Sequence, residues 1–165
     1  MDSHKNCDRV QDMYSLRCIP QVHGSARDLL YFAKKQIDIE INSVSDNPLV
    51  FVNQKMIVSA GQFHAEAVAH SLDIAAIAIA SISNISERRT FNLLKGDFGL
   101  PEFLISQPGV NSGFMMTQVT AAALVSENKL LANPASADSI PTCSDQEDHV
   151  SMAPYSPTAT NLLFP

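Results

Sequence analysis

Tryptophan is absent from this chain, tyrosine occurs three times, and charged residues make up only 17% of the 165 positions. A free-standing soluble domain usually carries about 25% charged residues. Set beside a hydrophobic fraction of 45%, the shortage predicts a surface largely covered by other parts of a longer chain or by other subunits. Basic residues are scarce as well. The net charge is −6, and the longest basic cluster is Arg88-Arg89, which argues against nucleic acid as a partner. The three cysteines, Cys7, Cys18 and Cys143, are odd in number and far apart, with no C-x-x-C. That excludes a disulfide framework and fits a reducing, cytoplasmic compartment. The N-terminus lacks the apolar stretch of a signal peptide. The uninterrupted apolar stretch Ile74 to Ile82 is too short to span a bilayer. A helix apolar all round in a cytoplasmic protein belongs in the middle of a bundle.

At this length the chain is about one domain and can bury a core. Apolar residues recur at helical spacing from Pro20 to Ser43, and a longer helical stretch runs from about Phe63 to Leu94 without proline or glycine. A third helix is expected from about Ser112 to Ala132, ended by Asn133-Pro134. Between the first two lies the turn cluster Ser43-Val-Ser-Asp-Asn-Pro48. It is followed by two short β segments, Leu49 to Val52 and Lys55 to Val58, flanking Asn53-Gln54. Residues 95–111 are rich in glycine and proline and read as loop. Ser144-Asp-Gln-Glu147 has the form of a capping box and predicts the start of a fourth helix. The class is all-α, a long antiparallel helical bundle with one short β-hairpin.

The run Gln11-Asp-Met-Tyr-Ser-Leu-Arg17 spaces an amide, a phenol and a guanidinium three residues apart. At helical pitch Gln11, Tyr14 and Arg17 share one side of the backbone. Arginine can clamp a carboxylate with two parallel hydrogen bonds, tyrosine can pass a proton, and glutamine can fix orientation. By itself this reads first as the polar stripe of a solvated helix. His64-Ala-Glu66 raises the question of a metal. H-E-x-x-H is absent, and His64 and His70 lie on different helix faces, so no metal site is expected and His64 reads as structural. Phe63 reads as core or staple, and Glu147 as the capping glutamate. Gly109-Val-Asn-Ser-Gly113 reads as a glycine-permitted loop ending in an Asn or Ser N-cap.

Six segments occur together in one order: Gln11 to Gln21, Ser45-Asp-Asn-Pro48, Gly61-Gln-Phe-His-Ala-Glu66, Ser86-Glu-Arg-Arg89, Gly109-Val-Asn-Ser-Gly-Phe-Met115 and Gln146-Glu-Asp-His-Val-Ser-Met152. Their combination resembles the middle of the aromatic amino acid lyase family, in its histidine ammonia-lyase branch. The resemblance covers residues 8–152, leaving 1–7 as a non-matching lead and 153–165 as a divergent, proline-containing tail. It implies a fold of long, nearly parallel helices and a cytoplasmic homotetramer in which each active site draws on three subunits. The reaction implied is loss of ammonia from L-histidine to give urocanate, with no externally bound cofactor. The family's electrophile, 4-methylideneimidazol-5-one (MIO), forms from an internal Ala-Ser-Gly.

Carried over by position, Arg17 corresponds to the arginine that binds the substrate carboxylate, and Tyr14 to the catalytic tyrosine beside electrophile and amine. Gln11 supports the same region, Phe63 is the aromatic near the electrophile, and Glu147 faces the histidine substrate. The Gln146-Glu147-Asp148-His149 wording favours the histidine enzymes over the phenylalanine enzymes and leaves tyrosine-acting relatives open. Three departures stand out. Ala-Ser-Gly occurs nowhere, since Ser59-Ala-Gly61 has the wrong order, and the family's N-terminal tyrosine base is missing too. Met13 stands where proline is usual. The tail departs from the pattern. A lyase fragment inactive by itself is therefore expected. The alternatives are a non-catalytic associate of full-length subunits or a phenylalanine- or tyrosine-acting lyase.

Overall fold

The computed structural model describes residues 5–153 and 155. The tail expected over 153–165 lies, apart from Ala153 and Tyr155, outside the described residues, as do residues 1–4 of the expected lead. The described elements are the single turn α1 (Tyr14–Arg17), α2 (Ile19–Ile41), the strands β1 (Leu49–Phe51) and β2 (Met56–Val58), α3 (Glu66–Leu94) and α4 (Met115–Leu131), with 3-10 turns at Glu102–Leu104 and Cys143–Asp145. The all-α class with one hairpin is what the sequence predicts.

Helix α3 is the axis of the structure. It packs against both α2 and α4, and it contributes ten buried residues against two from α2 (Ala26, Ala33) and one from α4 (Val125). Half of the ten are alanines, at 69, 75, 76, 78 and 80, whose small side chains let the neighbouring backbones approach closely. Serines inside α3 do not disturb the core. Ser71, Ser81 and Ser83 each donate to the carbonyl four residues back, at 2.6, 3.1 and 2.9 Å. By length and composition alone α3 could cross a membrane. Its buried Asp73 and Glu87, each with partners from the rest of the fold, make it a core helix instead.

Both neighbours run antiparallel to α3. His23 near the start of α2 meets Arg89 near the end of α3 at 3.3 Å, whereas Ile37 and Ile41 near the end of α2 share a cavity with Phe63 and Val68. On the other side, Gln118 of α4 donates to Glu87 (3.1 Å) and Asn128 to Ser83 (3.2 Å). The chain then continues back along α3 until the amide of Ser136 donates to buried Asp73 at 2.7 Å. The outer faces of α2 and α4 stay apolar and exposed, with Tyr31, Phe32, Ile39 and Ile41 on one, and Met116, Val119, Leu124 and Leu130 on the other.

Local chemistry sets the ends of the elements. Pro20 opens α2, where its missing N–H costs nothing. Asn42 and Ser43 close it by donating to the carbonyls of Asp38 (2.7 Å) and Ile39 (2.8 Å). The Ser45-Asp-Asn-Pro48 cluster is the foundation of the hairpin. Asp46 accepts from the Asn47 amide (2.7 Å), and the Asn47 side-chain oxygen accepts from both Ser59 Oγ (3.1 Å) and Ala60 N (3.0 Å). The strands pair antiparallel, Leu49 with Val58 and Phe51 with Met56.

Two local expectations are corrected. α4 begins without a side-chain cap from Asn111 or Ser112; Phe114 is its N-cap, while Asn111 turns back to donate to the carbonyl of Ser106 at 3.0 Å. The glycine requirement of that loop is real, however. Gly113 has φ +49, and a Cβ there would sit 2.4 Å from the carbonyl oxygen of Phe103, which itself accepts from the Phe114 amide at 3.0 Å. The second correction is at Ser144. No helix follows it among the described residues: Ser144 and Asp145 have positive φ (58° and 61°), which closes a tight 3-10 turn and aborts helical propagation.

Candidate functional site

Gln11, Tyr14 and Arg17 come together as their spacing predicts, although only one turn is helical. The carbonyl of Met13 accepts from the amides of Leu16 (3.0 Å) and Arg17 (3.1 Å), winding α1 tightly. Met13 itself has φ −64° and ψ 149°, the backbone a proline would impose, so its presence leaves the approach to Tyr14 in place. Arg17 Nη1 donates to Gln11 Oε1, and the Arg17 guanidinium carbon lies 5.2 Å from the centroid of the Tyr14 ring. Among the described residues the guanidinium is paired with an amide and a ring, not with a carboxylate, so it is pre-oriented and still available to an anion. The turn is anchored to the far part of α3. Ser15 is buried, and its hydroxyl accepts from Asn92 Nδ2 at 3.0 Å. Tyr14 borders an open cavity of about 430 Å³ together with Cys18, Val22, Asn84 and Arg88.

Phe63 and Glu147 occupy the other end of α3. Phe63 precedes the helix, is largely exposed, and borders a cavity of about 390 Å³ with Ile37, Ile41, Gln62 and Val68. The segment carrying Glu147 is fastened to the same place. His64 Nε2 lies 2.8 Å from the carbonyl oxygen of His149, the two imidazoles stack with centroids 5.7 Å apart and planes 10° from parallel, and the Ala65 amide donates to Ser151 Oγ at 3.2 Å. Glu147 does not cap a helix. Its Oε2 accepts from Thr142 Oγ1 at 2.8 Å, and its backbone carbonyl accepts from the Thr142 amide at 2.9 Å. Its orientation is thus set by a local antiparallel bridge. His149 and Thr142 escape a sequence reading because their partners are 85 and 5 residues away with no periodic signal.

The two groups are far apart. The first is tied to α3 at Asn92 and the second at His64 and Ala65, and at a rise of about 1.5 Å per residue the helix between them spans roughly 40 Å. No amino acid bridges that distance. One copy of this chain does not unite Arg17 and Tyr14 with Phe63 and Glu147 around one substrate.

Between them, Glu87 forms the main buried charged cluster. It accepts from Arg88 Nη2 at 2.6 Å and from Gln118 Nε2 at 3.1 Å. The Arg88 hydrogen bond holds its carboxyl below the usual glutamate range, against the opposing effect of burial and with a smaller contribution from Gln118. This network pins α4 to α3 beside the Arg17 end.

The helical fold thus places an amide, a phenol and a guanidinium at one end of α3 and a carboxylate at the other. The sequence profile of the aromatic amino acid lyases matches residues 1–162, and the chain belongs to that family. Its relatives narrow the likeness further. The histidine ammonia-lyase of Stigmatella aurantiaca is 56% identical over 153 residues, 92% of this chain and 30% of its own length. That of Gloeobacter violaceus is 57% identical over 152 residues, 91% of this chain and 30% of its own length. Among solved structures, the histidine ammonia-lyase of Trypanosoma cruzi superposes with a TM-score of 0.86 at 48% identity, covering 93% of this chain and 31% of that one. The tyrosine aminomutase of Streptomyces globisporus follows the same fold (TM-score 0.84) at 38% identity, covering 98% of this chain and 32% of that one. The chain spans about 30% of the length of the curated relatives it matches.

Proposed function

We propose that this chain supplies the central segment of a histidine ammonia-lyase, the enzyme that eliminates ammonia from L-histidine to give urocanate. The observation that carries the reading is the separation of two substrate-type surfaces along one rigid helix. In a multi-chain assembly the Arg17 end of one copy and the Phe63–Glu147 end of another face the same substrate. Arg17 clamps the α-carboxylate, with Gln11 holding the guanidinium in position. Tyr14 sits where the departing amine needs a proton. Phe63 forms an aromatic wall, and the Glu147 carboxylate meets the imidazole, whose charge changes near neutral pH. The tetrameric, cytoplasmic assembly implied by the family resemblance goes with this arrangement.

The residues present do not fit the MIO electrophile. There is no Ala-Ser-Gly to cyclise, and in the reversed Ser59-Ala-Gly61 both Ser59 Oγ and Ala60 N are committed to Asn47 at the base of the hairpin. The 165-residue chain by itself therefore turns over no histidine.

The test is a chimera in which residues 8–152 replace the corresponding segment of the Stigmatella relative. The expected result is a folded oligomer that makes urocanate, followed by its ultraviolet absorbance. A folded chimera that deaminates tyrosine or phenylalanine and leaves histidine untouched would overturn the reading. A second reading rests on the exposed apolar faces of α2 and α4: a non-catalytic associate of longer lyase subunits. Failure of the 165-residue chain to co-purify with a co-expressed full-length relative counts against it.

A further inference from the structure

The contact that fastens the Glu147 segment belongs to a side-chain cluster whose ligand chemistry the lyase reading does not use. Potential ligand atoms of His64, Glu66 and His149 all lie within 4.8 Å of one another. The three come from two segments about 80 residues apart in sequence, held together by the stacked imidazoles and the Ala65–Ser151 hydrogen bond. Two of them already have a second partner of the kind that orients metal ligands. The carbonyl of His149 can only accept, so His64 Nε2 carries the proton and Nδ1 keeps the lone pair. A metal taken at Nδ1 keeps that bond, and one taken at Nε2 replaces it. Glu66 Oε1 lies 3.0 Å from His70 Nε2, which leaves Oε2 open. His149 is exposed, so its ring can leave the stack with His64 and turn toward a shared ion while the Ala65–Ser151 hydrogen bond keeps the segments together.

We propose that His64, Glu66 and His149 bind a divalent transition-metal ion of the zinc class. Two imidazoles and one carboxylate are a donor set zinc takes with a fourth, open position. Metal–ligand bonds of about 2.0–2.2 Å put tetrahedral donors roughly 3.3 Å apart. From atoms within 4.8 Å of one another, rotation of the exposed His149 ring supplies the closure. His149 is exposed in the single chain, so the open position is reachable there by water or by an imidazole or carboxylate ligand. The inference is independent of which amino acid the assembled lyase accepts.

The test is calorimetric titration of the 165-residue protein with zinc chloride, with cobalt(II) chloride followed in parallel by visible spectroscopy. One equivalent should bind, and cobalt should show the intense bands of a four-coordinate site. His149→Ala and Glu66→Gln should each weaken binding about tenfold or more, and His70→Ala by less. Cys7→Ser should leave it unchanged, because the exposed thiol is the obvious adventitious ligand. Circular dichroism checks that each variant keeps its helices. Absence of stoichiometric binding, affinity unaffected in both ligand variants, or loss of binding in Cys7→Ser overturns the proposal.

Discussion

The two ends of α3 are built on opposite principles. At the end near Asn92, Gln11, Tyr14 and Arg17 lie within seven residues and one tight turn arranges them. A single buried hydroxyl, Ser15, fastens the turn to the helix. At the end near Glu66, Phe63 is local to the helix start, but Glu147 arrives from a segment that must be stitched on by His64, His149 and Ser151. The first end is a local device and the second a tertiary one. A stiff helix keeps them apart by far more than the length of an amino acid. On the proposed function, this chain serves two different sites, one at each end, and completes neither alone.

Breaking the local end should cost most. In the chimera described above, Arg17→Ala removes a charge-assisted contact and should lower kcat/KM about 100-fold, the equivalent of roughly 3 kcal/mol. The urocanate assay reads it directly, and an unchanged value would remove Arg17 from the substrate site. The next effect falls on the loop that sets α4 beside the same end. Gly113→Ala drives a Cβ to 2.4 Å from the Phe103 carbonyl at φ +49°. It should cost about 2–3 kcal/mol of stability, measured by urea unfolding.

A smaller loss is expected from Glu87→Gln, and its sign is fixed by the depressed carboxyl. The wild-type contribution is fully present above the ordinary glutamate range and is lost as pH falls through the lowered folded-state value. The variant should therefore be less stable near neutrality, by about 1 kcal/mol, with the difference vanishing in acid. A difference that grows as pH falls would contradict the assignment. The smallest effect sharpens the description of the local end. Met13 already holds φ −64°, so Met13→Pro should raise stability by about 0.4–1 kcal/mol. Destabilisation would mean the turn before Tyr14 is not as described.

How much of this was legible in the sequence follows the same division. Helices α2, α3 and α4 show in the periodicity and the hairpin in its turn residues, and the ends fall within a few residues of expectation. The Gln11–Arg17 cluster is legible because its geometry is set by one carbonyl, that of Met13, acting within four residues. Ser144-x-x-Glu147 reads as a capping box because that pattern is equally local. The chain instead pairs Thr142 with Glu147 and takes positive φ at Ser144 and Asp145, and a bridge across five residues replaces the helix start there. The His64–His149 stack has no trace in spacing at all. Nor is the separation of the two ends visible as a motif. It follows from where Ser15 and His149 attach along α3, which only the folded chain reveals.

The central claim is that the two ends of one copy serve different sites, and subunit complementation tests it most directly. Two chimeras, one carrying Arg17→Ala and the other Glu147→Ala, are each assayed alone and then co-expressed so that mixed oligomers form. Sites shared between copies predict little urocanate from either alone. They predict recovered activity in the mixture, because some sites then combine an intact Arg17 end with an intact Glu147 end. Mixed oligomers no more active than the two parents would contradict the account and return both ends to a single-chain site.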